Sequence, residues 1–386
     1  MSTERNILFL QSSSEGYGSS KILIQVLLVY QALGFRPTVV LTIKGELEES
    51  LNLLHIPYHI KNLGILRRKY FHPLGGINRF TRLVRAYFFL SRLHKTHSFE
   101  AVYSNTLAVV IGAIWAKRHG LPHLWHIHEI LEKPTLLVKG LSRLVDWSTP
   151  YPIAVSQAVA KQWQPLLRKS TIEVIHNGIP YQAYKKASPT LKKELGLSVD
   201  TLLVGMVGRI NPGKGQIFFL EMAQKLSLTL PSAHFVLVGD PFAGYDTLLD
   251  EIKAQINSLG IEQRVSYLGF RKDIPEVMAS LDVFVLPSIA PDSFPTVLLE
   301  AMASKKPVVA TRSGGASELV EEGHTGFLIP IGAVEEGVMA IEKLLTNPSL
   351  RTSFGQAGQD RVLKHFSLKT FEEKLRNHAW QHLKKN

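Results

Sequence analysis

Residues 287–318 read PSIAPDSFPTVLLEAMASKKPVVATRSGGASE. A carboxylate, Asp292, precedes the turn-rich Ser293-Phe294-Pro295-Thr296, and a helical run from Thr296 follows with a second carboxylate, Glu300, in its first turns. An apolar strand at Pro307–Ala310 and a Gly314-Gly315 turn complete the segment. Short apolar strands feeding helices through loops of this kind build parallel α/β sheets. The first N–H groups of a helix lack intrahelical partners and carry the positive end of its dipole, so they collect anions. A carboxylate beside such a terminus can accept hydrogen bonds from sugar hydroxyls. The pattern therefore fits a ligand that is both phosphate and polyol, such as a sugar nucleotide, although a lone βαβ unit with a charged helix face would also contain two carboxylates.

The same alternation runs through all 386 residues. Strands are expected at Asn6–Leu10, Thr38–Thr42, Ala101–Ser104, His123–His128, Pro152–Val155 and Ile172–Ile175. In the second half they are expected at Leu202–Val207, His234–Val238, Val265–Leu268, Val283–Pro287, Pro307–Ala310 and Phe327–Ile329. Several are near-continuous apolar runs, as strands buried on both faces should be. The polar stretch Lys185–Ser198 reads as a linker. The expectation is α/β, with two doubly wound Rossmann-like domains facing across a cleft: residues 1–186 on the acceptor side and 187–367 on the donor side. A C-terminal helix near 368–386 should pack back on the first domain. Ligands in such sheets sit at the carboxyl ends of the strands.

Composition excludes several chemistries. The chain has no cysteine, so it has no disulfide, thiolate nucleophile or zinc–thiolate site. No signal peptide is read at the N-terminus, and the apolar run Leu107–Ala116 is too short to span a bilayer. A cytoplasmic protein, peripherally associated with the inner face of the cell membrane, is expected. The net charge of +12 is unevenly placed: residues 1–186 hold 23 Lys and Arg against 10 Asp and Glu, and residues 187–386 hold 21 against 22. Between Ser50 and Phe99 nine basic residues meet no acidic one. Within this patch Ile77–Lys95 fits a helix with Phe80, Leu83, Val84, Tyr87 and Leu90 on one side and Arg79, Arg82, Arg85 and Arg92 on another. It reads either as a helix for an anionic membrane surface or as a sheet-packed helix with solvated arginines. No nucleic-acid-binding module accompanies the patch.

Val207-Gly-Arg-Ile-Asn-Pro-Gly-Lys-Gly215 follows a strand and opens a helix. Its glycines allow close backbone approach, Arg209 can fork onto phosphate oxygens and Lys214 supplies a point charge. It is not a Walker A loop. His123, His126 and His128 share a strand, but no further ligand set is visible, and no metal is expected.

Taken in order, Val207-Gly-Arg…Lys214-Gly215, Val238-Gly-Asp240, Leu268-Gly-Phe270, Asp292-x7-Glu300, Gly314-Gly315-x-x-Glu318 and Gly326-Phe-Leu328 resemble the retaining glycosyltransferases of family 4, which have the GT-B fold. Glu15-Gly-Tyr-Gly18, His126-Ile-His-Glu129, Ala154–Ala158 and Val174–Gly178 agree, so the resemblance covers nearly the whole chain. The resemblance implies a metal-independent transfer of sugar from a nucleotide-sugar donor, UDP-linked first among the options, to a glycan or lipid-linked acceptor. Arg209 and Lys214 would bind the donor diphosphate, Glu300 the ribose, and Asp292 the donor sugar. Gly208, Asp240 and the backbone of Ser293, Phe294, Pro295 and Thr296 would line the donor. Phe270 and Arg271 would lie by the base, Gly16 and Gly18 would approach the diphosphate, and His128 would sit near the reacting centre. This chain departs from the pattern in three places: Asp292 replaces a glutamate, Ser-Phe-Pro-Thr replaces glycines, with Pro295 removing an N–H donor, and the first glycine loop reads Gly-Tyr-Gly-Ser instead of a tight Gly-Gly. A sugar-nucleotide epimerase on the same fold, or a non-catalytic sugar-nucleotide binder, remains an alternative on sequence alone.

Overall fold

The computed structural model describes residues 5–14, 18–66, 73–131, 133–241 and 245–383. The chain divides into two units, residues 1–177 with 371–386, and residues 178–370.

The first unit is a seven-stranded parallel sheet in the order β3-β2-β1-β4-β5-β6-β7. Its strands are β1 (Arg5–Gln11), β2 (Phe35–Leu41), β3 (Tyr58–Ile60), β4 (Ala101–Asn105), β5 (His123–Ile127), β6 (Ile153–Ala154) and β7 (Glu173–Val174). The three-residue β3 pairs with the end of β2 and was not anticipated. It is too short, and too polar at His59, to stand out from a loop. In the centre, Ile7–Leu10 of β1 and Val102 and Tyr103 of β4 are completely buried, as a sheet covered by helices on both faces requires. Helix α1 (Gly18–Ala32) covers it with Ile22, Leu23, Val26 and Leu27.

The second unit is a six-stranded parallel sheet, β10-β9-β8-β11-β12-β13. Its strands are β8 (Leu202–Val207), β9 (Ala233–Val238), β10 (Val265–Tyr267), β11 (Val283–Leu286), β12 (Val308–Thr311) and β13 (Gly326–Ile329). Phe219 and Met222 of helix α9 (Gln216–Thr229) pack in its core with Phe235 and Ile341.

In each sheet the order reverses once, at β1/β4 and at β8/β11. The chain leaves these neighbouring strands in opposite directions, and a crevice opens between the loops at their carboxyl ends. The functional candidates of each unit collect at these points.

One expectation needs correction. Lys185–Ser198 is not a free linker: it contains α8 (Leu191–Glu194), Leu191 is fully buried, and the Thr190 and Leu191 N–H groups donate to Ser280 Oγ at 2.8 and 3.1 Å. Its polar composition hid one apolar anchor. The last helix, α16 (Leu368–Leu383), belongs to the first unit from residue 371 onward. There the Arg5 guanidinium donates to the Leu383 carbonyl at 2.6 Å.

Candidate functional site

In the second unit the loop after β8 runs into α9 through Gly215, which has φ +79°. A Cβ there would lie 1.9 Å from the Pro287 carbonyl oxygen. Only glycine meets both the left-handed backbone and the contact. The loop after β11 closes on it: Ile289 and Ala290 donate to the Gly213 carbonyl at 2.9 and 3.1 Å. Gly314, with φ +55°, brings a third loop so near that a Cβ would be 2.1 Å from the Asp292 carbonyl oxygen, and Gly315 N–H donates to that oxygen at 2.8 Å.

This stitching places the Lys214 ammonium in a hydrogen-bonded ion pair with Asp292 Oδ2, although the residues are 78 positions apart. Beside them starts helix α12 (Thr296–Ala303), whose N-cap residue, Pro295, offers no side-chain acceptor to its first turn. Orphan N–H groups therefore remain for an anion. The missing Pro295 N–H lies before the helix and takes nothing from that first turn. The Phe294 side chain is buried against Phe366, so only its backbone is available to a ligand. Glu300 is 9% exposed on α12, and Tyr184 of helix α7 (Gln182–Lys186) is hydrogen-bonded to it. Burial, reinforced by Glu300, raises the Tyr184 phenol far above its ordinary range, so it stays a donor.

Arg209 is partly exposed at the head of the β8 loop, and its carbonyl accepts from Gln216 Nε2 at 3.1 Å. Its neighbour Gly208 donates to the Val238 carbonyl at 2.9 Å, and Asp240 accepts from the Tyr267 hydroxyl. Phe270 is 42% exposed, a face on which a base could stack. Arg271 is different: its guanidinium is engaged by Glu194 at 2.5 and 3.0 Å and by Asp273 at 2.8 and 2.6 Å. These bonds, first to Asp273 and then to Glu194, hold it charged. Its fork ties α8 to the loop after β10 and is not open to phosphate.

In the first unit Gly18 opens α1, while Gly16 lies outside the described residues. His128, just past β5, meets Asn105 Oδ1 through Nε2 at 3.0 Å. The Asn105 amide in turn donates to Gln11 Oε1 at 2.8 Å and to the Ser19 carbonyl at 3.1 Å. An acceptor at Asn105 places the His128 proton on Nε2. Burial pushes the His128 pKa down to about 3, so the ring is neutral at pH 7. His126 packs beside it, ring centroids 4.2 Å apart, and bonds the Tyr103 hydroxyl at 2.8 Å. His123 is a core residue held between Ser104 and Ser148 at 2.9 and 3.2 Å.

Two family models match the chain: "Glycosyltransferase Family 4" over residues 18–182 and "Glycosyl transferases group 1" over residues 187–361. The chain belongs to the group 1, family 4 glycosyltransferases. Among solved structures it resembles Anabaena Alr3699/HepE in complex with UDP-glucose, with TM-score 0.84 and 28% identity, covering 97% of this chain and 99% of that one. That protein was also solved with UDP and glucose. Among curated relatives, "UDP-Gal:alpha-D-GlcNAc-diphosphoundecaprenol alpha-1,3-galactosyltransferase" of Escherichia coli is 27% identical over 53% of each chain. "Putative glycosyltransferase EpsD" of Bacillus subtilis is 26% identical over 82% of this chain and 84% of its own. The match thus spans about half the length of the first and most of the second.

For this glycosyltransferase the basic helix requires a correction. Helix α3 (Pro73–His97) buries Ala86, Leu90 and Leu93. Arg79 joins that face at 7% exposure and is no part of an outward basic patch. Phe80 and Val84 do not share the side of Leu83 and Leu90. With Leu74, Ile77 and Phe88 they form a second stripe, facing solvent at 39–76% exposure. Arg85 and Arg92 are exposed and Arg82 is partly so. The helix is apolar on two faces, and only packing shows which one the sheet takes. No helix among the described residues is long and apolar enough to cross a membrane.

Sequence reasoning missed two residues. Tyr184 sits in a polar segment with no motif around it. Glu129 follows His128, and its carboxylate accepts from the Leu107 and His128 N–H groups at 3.0 Å. Burial nevertheless raises its pKa to about 7, against the lowering effect of those bonds. A carboxyl whose folded pKa lies above its unfolded value binds more protons in the folded state. Its contribution to stability is therefore lost as pH rises from about 4.5 to about 7. Glu129→Gln is expected to flatten that decline, measured as denaturation midpoints across this window. A parallel profile for native and variant would show that Glu129 titrates normally.

Proposed function

We propose that the protein transfers a hexose, with retention and without a metal ion, from a UDP-sugar to an anionic lipid-linked glycan at a membrane surface. The observation that carries the reading is the Lys214–Asp292 pair at the β8/β11 reversal, beside the N-terminus of α12 and Glu300. It joins a cation for a departing diphosphate to carboxylates for ribose and sugar hydroxyls. When the donor binds, Lys214 turns to the diphosphate and Asp292 to the sugar. Arg209 and the α12 N–H groups complete the anion site and Phe270 stacks on the base, while His128, neutral and held through its Nε2 proton by Asn105, serves on the acceptor side. Asp240 keeps the loop after β9 in place through Tyr267. The UDP and UDP-glucose complexes of the Anabaena structure and the lipid-diphosphate acceptor named for the Escherichia coli relative support the choice of substrates.

The test is calorimetric binding of UDP-, GDP-, ADP- and TDP-sugars, followed by acceptor-dependent release of nucleotide. Tight binding of a UDP-sugar with release only when a lipid-linked acceptor is present is the expected result. Donor conversion without any acceptor would point to epimerisation. Chelation with EDTA is expected to leave turnover intact, because Lys214 and Arg209 neutralise the leaving group. Activity lost on chelation and restored by manganese would overturn that part.

The solvent-facing stripe of α3, flanked by Arg82, Arg85 and Arg92, is the surface for the membrane. Basic residues at an anionic surface contribute about 1 kcal/mol each, screened by salt. Arg82, Arg85 and Arg92 changed together to Gln should release the protein from anionic vesicles in flotation while donor binding persists. Equal binding to neutral and anionic vesicles at low salt would refute the proposal.

A further inference from the structure

The C-terminal helix carries a cluster that the transfer reaction does not use. His378 and His382 are one turn apart on α16 and share a face, their ring centroids 4.6 Å apart. Glu173, the first residue of β7, meets them: His382 Nε2 lies 2.8 Å from Glu173 Oε1. One ligand atom from each of the three residues lies within 4.8 Å of the others. Among the described residues no other trio of histidine and acidic side chains is arranged this way.

We propose that Glu173, His378 and His382 form a site for a zinc-like divalent transition metal, which clips the C-terminal helix to the edge of the first sheet.

His378 is the observation that separates this site from an ordinary ion pair. It is 1% exposed, and its Nε2 lies 3.0 Å from the Tyr151 carbonyl. A carbonyl only accepts, so the ring proton is on Nε2 and Nδ1 carries a lone pair. That Nδ1 is buried and has no hydrogen-bond partner. A buried acceptor without a partner costs free energy, about 1–3 kcal/mol, and calls for an occupant. A carbonyl on one ring nitrogen with the other nitrogen left to a metal is the usual outer support of histidine ligands. His382 is also held in place, stacked on the Tyr151 ring at 4.1 Å between centroids.

Two histidines and a carboxylate match the ligand set of three-ligand zinc sites, which leave a fourth position for water. An entry path exists: His382 lines an open cavity of about 410 Å³ with Lys117, Pro122, Ser148 and Tyr151. The site joins α16 to the edge strand β7, and none of its residues is among the donor-site candidates, so the role proposed for the metal is to hold the helix on the sheet.

The test uses the full chain without an affinity tag, stripped of metal. Zn²⁺ is titrated by calorimetry and thermal melting, and Co²⁺ by visible absorption. The native protein should bind one zinc ion per chain, melt several degrees higher with it, and give the intense absorption of low-coordinate cobalt. His382→Gln and Glu173→Gln, both at partly exposed positions, should each weaken zinc binding about tenfold to a hundredfold. Without zinc, their melting points should stay near that of the stripped native chain. If one variant fails to fold, the other decides. Turnover should be unchanged in either variant. Absence of zinc binding by the native chain would overturn the proposal, with a buried water then filling the space at Nδ1. Equally tight binding by both variants would place zinc elsewhere and overturn it as well.

Discussion

Lys214→Ala is expected to lower kcat about 10²–10³-fold, with a much smaller rise in the KM for the donor. Charge accumulates on the diphosphate as the sugar departs, so a cation held beside it acts most strongly in the transition state. Removing one preorganised stabilising group of this kind typically costs about 10²–10³ in kcat. The structure adds a second effect. Lys214 is paired with Asp292, and both side chains are largely screened from water, at 26% and 17% exposure. Alanine therefore leaves a carboxylate unpaired where the diphosphate must sit, and the KM rise should come from that repulsion. Asp292→Asn in the Lys214→Ala background should bring KM back towards the native value and leave kcat low. The two changes should be non-additive, as for any pair in direct contact. Steady-state kinetics of the four proteins settle the point. If Lys214→Ala raised KM alone, Lys214 would bind the donor without assisting its departure.

Glu300→Gln should weaken donor binding about tenfold or more. Hydrogen bonds to a charged acceptor are worth about 1.5–3 kcal/mol, and the glutamine amide can reproduce only part of them. The fold should survive, because the amide of the variant would still present an oxygen to the Tyr184 hydroxyl. Tyr184→Phe should have a smaller effect of the same sign, since it removes the group that orients the carboxylate and leaves the charge. Calorimetry with UDP separates the outcomes. Unchanged affinity in a folded Glu300→Gln protein would take Glu300 out of the nucleotide site.

Much of this architecture was legible in the chain because parallel α/β units are written locally. The apolar runs of β1, β4, β8 and β11 are buried on both faces and stand out from any polar neighbour. The loops after β8 and β12 carry glycines that no other residue could replace, as Gly215 and Gly314 illustrate. The candidate donor residues lie in the loops after β8, β9, β10 and β11 and on α12, so their order along the chain is visible in the sequence.

Tertiary structure decided what depends on partners distant in sequence. The pairing of Lys214 with Asp292, the engagement of Arg271 by Glu194 and Asp273, and the support of Glu300 by Tyr184 join segments separated by up to 116 positions, apart from Asp273. No local pattern announces them. The inward turn of Arg79 and the outward turn of Phe80 follow from which of two apolar faces of α3 met the sheet. Glu173 meets His378 and His382 only because α16 belongs to the first unit, more than two hundred residues after β7. Sequence determines which residues can be buried or bent. Which charges then face one another is determined by the closing of the chain.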